Sequence, residues 1–151
     1  MKKLYVVGNK ASKSLSPTIF NYWFKKYNIK ASYGYLELTE KNFHNKIKDV
    51  LEKKDTLGLN VTIPFKNKII KHLGKIDTHA KKIGAVNCVT NKKTINGTNT
   101  DWTGYYKTLP NIKQTKNRKV IILGYGGASH AIHYVLKLSL IHISEPTRRT
   151  I

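Results

Sequence analysis

The chain has 151 residues, 40% of them hydrophobic and 24% charged, proportions that can build one ordinary core and that exclude disorder throughout. No apolar run approaches the roughly 18 residues that span a bilayer, and the apolar stretch after Met1-Lys2-Lys3 is too short for a secretory leader, so no membrane partner and a cytoplasmic location are expected. Lys and Arg number 28 against 8 Asp and Glu, a net charge of +20, which puts nucleic acid among the partners to weigh. Only Arg118, Arg148 and Arg149 are arginines, however, and the lysines are scattered singly or in pairs. They form no stripe of the kind that reads phosphate and guanine. A lysine-biased solvated surface that attracts anionic small molecules is the better reading, and no nucleic-acid partner is expected. The single cysteine, Cys88, excludes an intrachain disulfide and a multi-cysteine zinc site; no metal is expected, and Cys88 reads as a small strand residue.

Lys2–Gly8 is a β-branched run ending in glycine, the pattern of a buried strand, and leads into a polar turn at residues 9–13. Ser16 before Pro17 places a hydroxyl cap ahead of a proline at the first helical position, and Ile19, Phe20, Trp23, Phe24 and Tyr27 follow at helical spacing. Residues 32–38 read as a second strand. Thr39 can cap a helix that turns Phe43, Ile47, Val50 and Leu51 to one face. Residues 57–62 are a third apolar run; Pro64 then opens a predicted helix with Ile69, Ile70 and Leu73 inward and Gly74 as its stop. Asp77 caps a short helix to Gly84, residues 85–90 and 94–96 form a strand pair around the turn at 91–93, and residues 101–109 are helical.

Residues 110–118 are polar, with no apolar periodicity, and read as a linker. Residues 119–123 are then an apolar strand delivered into Gly124-Tyr125-Gly126-Gly127-Ala128-Ser129 and a helix carrying Ala131, Ile132, Val135 and Leu136, the order of the first βα unit of a dinucleotide-binding fold. Gly124 permits the tight turn and Gly126 the approach of a pyrophosphate; the helix start at Gly127 and Ala128 offers N–H groups and the positive end of a dipole to the anion. A lone glycine pattern is weak, and Ser129 stands where a third glycine is usual. The strand before it and the helix after it strengthen the reading.

Taken singly, the upstream motifs are ambiguous. Ser14-Leu15-Ser16-Pro17 can be only a helix cap, Asn60-Val61-Thr62-Ile63-Pro64-Phe65-Lys66 only a strand, turn and helix start, and Asn99-Thr100-Asp101 only a side-chain turn. Together they gather hydroxyls, amides, one lysine and one carboxylate at the ends of successive strands, where open α/β sheets bind ligands.

With Gly84-Ala85-Val86-Asn87, these motifs stand in an order that resembles shikimate dehydrogenase, over residues 3 to about 138. The resemblance implies an α/β fold: a three-layer substrate domain with a mixed, mainly parallel sheet at residues 1–109, a linker at 110–118, and the start of a Rossmann-type NADP-binding domain at 119–138. It implies that Ser14 and Ser16 hold the substrate carboxylate, that Thr62, Asn87 and Asp101 bind ring hydroxyls, and that Lys66 with Asp101 forms the catalytic pair. Gly124, Gly126, Gly127 and Ala128 would hold NADP, the hydride carrier, in the reduction of 3-dehydroshikimate to shikimate by a monomer or homodimer. Quinate is a possible substrate within the same family. The residue types suit that chemistry, because a ketone that accepts a hydride leaves an alkoxide needing a proton, which a positioned lysine can donate.

The chain departs from the family in two places. Gly8-Asn9-Lys10-Ala11-Ser12-Lys13 lacks the usual proline and histidine, though the serines stay in place. Residues 139–151 are expected to be a non-native tail joined to a truncated chain; a second Rossmann strand at 141–144, with Glu145 or Arg148 and Arg149 on the ribose, would follow the preceding helix with almost no loop. Removing two arginines and one glutamate with that tail lowers the net charge by only one, so the basicity belongs to the rest. The reading from another class is a basic, non-catalytic module for nucleotides or nucleic acid.

Overall fold

The computed structural model describes residues 1–109 and 119–139. The chain forms strands β1 (Lys2–Gly8), β2 (Ala31–Glu37), β3 (Thr56–Val61), β4 (Lys75–Ile76), β5 (Cys88–Asn91) and β6 (Ile95–Thr98), with helices α1 (Ser16–Lys26), α2 (Phe43–Leu51), α3 (Thr78–Ile83), α4 (Asp101–Thr108) and α5 (Gly127–Ser139). The strands make one mixed sheet in the order β2-β1-β3-β5-β6-β4. Its longest strands pair in parallel, β1 between β2 and β3, while β5 runs antiparallel to β3 and β6.

Alternation along β1 creates the layers. Tyr5 and Val7 face the main core, closed by Phe43, Ile47, Val50 and Leu51 of α2 and by Phe65 and Ile69. Leu4 and Val6 face the other way, with Tyr33, beneath Phe20 and Phe24 of α1. Phe20 stacks on Tyr33 at 4.6 Å between ring centroids, 6° from parallel. A third cluster joins Ile83 and Ala85 to Ala131 of α5, with Trp102 and Tyr134 packed against it. The three-layer α/β domain with a mixed, mainly parallel sheet is thus the one expected.

Several local readings change. The helix predicted from Pro64 is a turn followed by a short 3-10 helix at Lys68–His72, because the Lys66 carbonyl accepts the Val86 N–H at 2.7 Å and so leaves the helical ladder. Ser16 is not the cap of α1; Leu15 is, and the Ser14 hydroxyl accepts the Ser16 N–H at 3.2 Å. At α2 the cap position falls to Asn42, not Thr39, and the Asn42 side chain reaches back to accept the Thr39 N–H at 2.9 Å. Of the apolar residues on α1, Ile19, Trp23 and Tyr27 are exposed, since only the Phe20–Phe24 stripe meets the sheet. Around α3 the reading stands: the Asp77 carboxylate accepts the N–H groups of His79 and Ala80 at 2.7 and 3.0 Å, and Gly84 ends the helix at φ +72°.

The second unit is half as expected. Helix α5 is present, but residues 119–123 form no strand, and Ile121 and Leu123 are 84% and 93% exposed. A strand requires a neighbour for its N–H and C=O groups, and among the described residues none lies beside this segment. The linker reading at 110–118 and the tail reading beyond residue 139 fall outside the described residues.

Candidate active site

The carboxyl ends of β1 and β3 open onto one cleft. The end of β1 packs tightly at Gly8, where an added Cβ would stand 2.5 Å from Thr62 Cγ2, so only glycine lets the chain leave β1 this close to Thr62. Ser14, Ser16, Thr62, Lys66, Asn87 and Asp101, far apart in sequence, all line this cleft of about 490 Å³, together with Lys10, Lys13, Phe20 and Asn60.

At one end Lys66 Nζ donates to Asp101 Oδ2 at 2.7 Å. The other carboxylate oxygen accepts from Asn87 Nδ2, also at 2.7 Å. Asn87 Oδ1 accepts the Thr100 N–H at 2.8 Å, and the Asn87 N–H is held by the Thr98 carbonyl at 3.1 Å, so the end of the sheet fixes the amide that fixes the carboxylate. Behind them Asn99, 3% exposed, accepts the Asp101 N–H at 3.0 Å and donates to the Ala85 carbonyl at 2.9 Å. The Lys66 side chain is 14% exposed and that of Asp101 33%, which leaves the pair sheltered but open to the cleft.

At the other end Ser14 Oγ donates to Ser16 Oγ at 3.1 Å. Tyr33 donates to Asn60 Oδ1 at 2.6 Å. Burial pushes the Tyr33 phenol up to about 12, nearby Cys88 adds to the rise, and a hydrogen bond with Ser16 opposes it. Cys88 itself is half-buried on β5.

The glycine loop lies beside the cleft instead of lining it. Gly124 takes φ +108°, and a Cβ added at Gly124 or Gly126 would meet no atom within 4 Å. Ser129 Oγ donates to the Gly126 carbonyl at 2.7 Å, and the first turn of α5 carries no acidic residue. An open glycine turn leading into a helix of this length, whose first N–H groups lack intrahelical partners, fits an anionic phosphate. Gly127 has a further role that spacing did not reveal. Its added Cβ would lie 3.0 Å from both Cβ and Cδ of Lys66, so α5 begins against the stem of that lysine. Farther along α5, the Tyr134 hydroxyl meets His79 Nδ1 at 2.8 Å, and His79 stacks on Trp102 at 4.2 Å, next in sequence to Asp101.

Sequence reasoning assigned no role to Tyr33, Asn60, Asn99 or Thr100. The last three stand inside the quoted motifs, which was the available signal. Tyr33 carried none, being one aromatic in an aromatic strand.

A sheet that gathers hydroxyls, amides and a lysine–carboxylate pair at the carboxyl ends of parallel strands is a small-molecule-binding α/β domain. Residues 6–89 match the shikimate dehydrogenase substrate binding domain, and the chain belongs to this family. It is 39% identical over 158 aligned positions to the shikimate dehydrogenase (NADP(+)) of Pelagibacter ubique, covering 97% of this chain and 57% of that protein. Among solved structures, shikimate dehydrogenase 1 from Peptoclostridium difficile superposes with a TM-score of 0.82 at 33% identity, over 92% of this chain and 52% of that one. Shikimate 5-dehydrogenase from Thermus thermophilus, in complex with NADP(H) and shikimate, superposes with a TM-score of 0.75 at 26% identity, over 92% and 53%. The chain spans about half the length of the relatives it matches.

Proposed function

We propose that this chain supplies the substrate half, residues 1–109, and the start of the cofactor half, residues 119–138, of an NADP-dependent dehydrogenase that reduces 3-dehydroshikimate to shikimate. The observation that carries the reading is the 2.7 Å Lys66–Asp101 pair in a cleft that also collects Ser14, Ser16, Thr62 and Asn87. A non-catalytic basic module is not favoured, because that convergence has no purpose in it.

In this reading Ser14 and Ser16 hold the ring carboxylate, and Thr62, Asn87 and Asp101 hold ring hydroxyls, which sets the ketone before Lys66. The Lys66 ammonium donates its proton to the carbonyl oxygen as that oxygen becomes an alkoxide, and in the reverse direction the amine removes the proton. Asp101 orients the lysine, while Asn87 and Asn99 hold Asp101 still. Gly124, Gly126, Gly127 and Ala128 would hold the phosphates of NADP, whose reduced form, NADPH, would supply the hydride. Alignment of the reacting groups contributes roughly 7 to 11 kcal/mol of barrier reduction in such sites, so the contact of Gly127 with Lys66 belongs to the same design.

The test joins residues 1–138 to the C-terminal half of the Pelagibacter relative and follows NADPH oxidation with 3-dehydroshikimate. Turnover is expected, falling about 10²- to 10⁴-fold in Lys66→Ala. Turnover indifferent to Lys66→Ala would overturn the assignment of the proton donor, and failure of the 151-residue chain to bind shikimate would overturn the substrate.

A further inference from the structure

The turn that leads into the serines carries two lysines that the reaction leaves unused. Residues Ala11–Lys13 form a 3-10 turn, closed by the Lys13 N–H on the Lys10 carbonyl and the Ser14 N–H on the Ala11 carbonyl, both at 3.1 Å. Lys10, at the start of that turn, and Lys13, at its end, both line the cleft beside Ser14 and Ser16.

The turn is pinned in that orientation from two directions. Ala11, 1% exposed, is packed against Val6 and Tyr33. Ser12 meets the Glu37 carboxylate through its hydroxyl and through its N–H, the latter at 3.0 Å.

The charges at this end are only partly offset. Asp101 is engaged by Lys66 and Asn87, Glu37 is engaged by Ser12 and lies within electrostatic reach of Lys13, and among the described residues neither Lys10 nor Lys13 makes an ion pair within 4 Å. Ser14 and Ser16 offer only neutral hydroxyls, one already donated to the other. Hydrogen bonds from a charged donor to a carboxylate are roughly twice as strong as neutral ones.

We infer that Lys10 and Lys13 are the charged part of the subsite that receives the substrate carboxylate, and that they make the cleft discriminate ring acids from their uncharged counterparts. This rests on the functional reading above and adds two specificity-determining residues to it. Both lysines sit at the mouth, so their contribution is screened by salt and acts on capture of the anion as well as on its retention.

Calorimetric titration of the 151-residue chain with shikimate, and separately with its uncharged methyl ester, tests the inference. The unaltered chain should bind the acid at least about five times more tightly than the ester, and added salt should narrow the gap. In K10Q/K13Q the acid should bind about five- to tenfold more weakly, the sum of two exposed charge pairs, with the ester unaffected, and K10R/K13R should restore discrimination. K2Q/K30Q makes the same charge change at the opposite end of β1, where Lys2 pairs with Ala31 and Lys30 precedes it, and should leave both affinities as they are. If K10Q/K13Q separates acid from ester as well as the unaltered chain does, or if K2Q/K30Q weakens acid binding equally, the inference falls and the functional reading stands. If the unaltered chain binds no shikimate, both fall.

Discussion

Asn99 is where the fold and the candidate site meet, and Asn99→Ala should cost both. The side chain is 3% exposed, donates to the Ala85 carbonyl at 2.9 Å and accepts the Asp101 N–H at 3.0 Å. Truncation strands two backbone groups. Ala85 is fully buried, so its carbonyl loses its partner with no water to replace it; the Asp101 N–H lies nearer the cleft and recovers part of its loss from solvent. An orphaned buried group costs about 1 to 3 kcal/mol, which makes a combined loss of about 3 kcal/mol the expected value. That is a large share of the roughly 5 to 15 kcal/mol typical of a domain. At roughly 3 to 5 °C per kcal/mol for a domain of this size, the midpoint should fall by about 10 to 15 °C in thermal unfolding followed by circular dichroism, with a matching loss in urea. Asn96→Ala removes an exposed bond to the Thr94 carbonyl and should change the midpoint by no more than about 2 °C. Shikimate affinity, measured well below the midpoint, should also drop in Asn99→Ala, because Asp101 loses its backbone anchor. A midpoint shift in Asn99→Ala no larger than in Asn96→Ala would refute the reasoning.

Two further predictions concern the residues that sequence spacing did not single out. Tyr33 titrates at about 12 against an ordinary value of 10.0, chiefly because burial disfavours the phenolate; its folded value is raised, so its contribution to stability is complete below about pH 10 and is lost as pH climbs from about 10 towards about 12. An absorbance titration should therefore show one late-ionising tyrosine that disappears in Tyr33→Phe, along with that part of the alkaline loss of stability, whereas a single phase near about 10 for all tyrosines would contradict the burial argument. Tyr134→Phe removes the hydroxyl that meets His79 but keeps the ring against Trp102; amide exchange in α5 should quicken about five- to tenfold, the equivalent of one hydrogen bond, while β1 and β3 stay as protected as before. Unchanged exchange in α5 would mean that the Ala131 contacts alone hold it.

Much of the fold was legible because its causes are local. The β-branched run of Lys2–Gly8, helical spacing from Phe43 to Leu51, and the Asp77 cap with Gly84 as stop act over a few residues, and each appears where the pattern puts it. The site motifs were legible for the same reason: each is a short run at the end of an element, and order along the chain was enough to relate them to a family. Which residues would meet was a different matter. Lys66 and Asp101 are 35 positions apart and Asn21 and Tyr33 are 12, and only the packing of the sheet brings such groups within hydrogen-bond distance. Where local preference and long-range pairing compete, the pairing wins: the Lys66 carbonyl turns to Val86 and the helix expected from Pro64 stops forming. Conversely, residues 119–123 have every local mark of a strand but no neighbouring strand among the described residues, and they remain unpaired. The sequence alone determined most of the elements, the motif order and the family; tertiary structure decided that Asn99 supports Asp101, that Gly127 must stay small beside Lys66, and that Lys10 and Lys13 line the same cleft as the serines, because each of these depends on backbone segments brought together by a core that no single segment encodes.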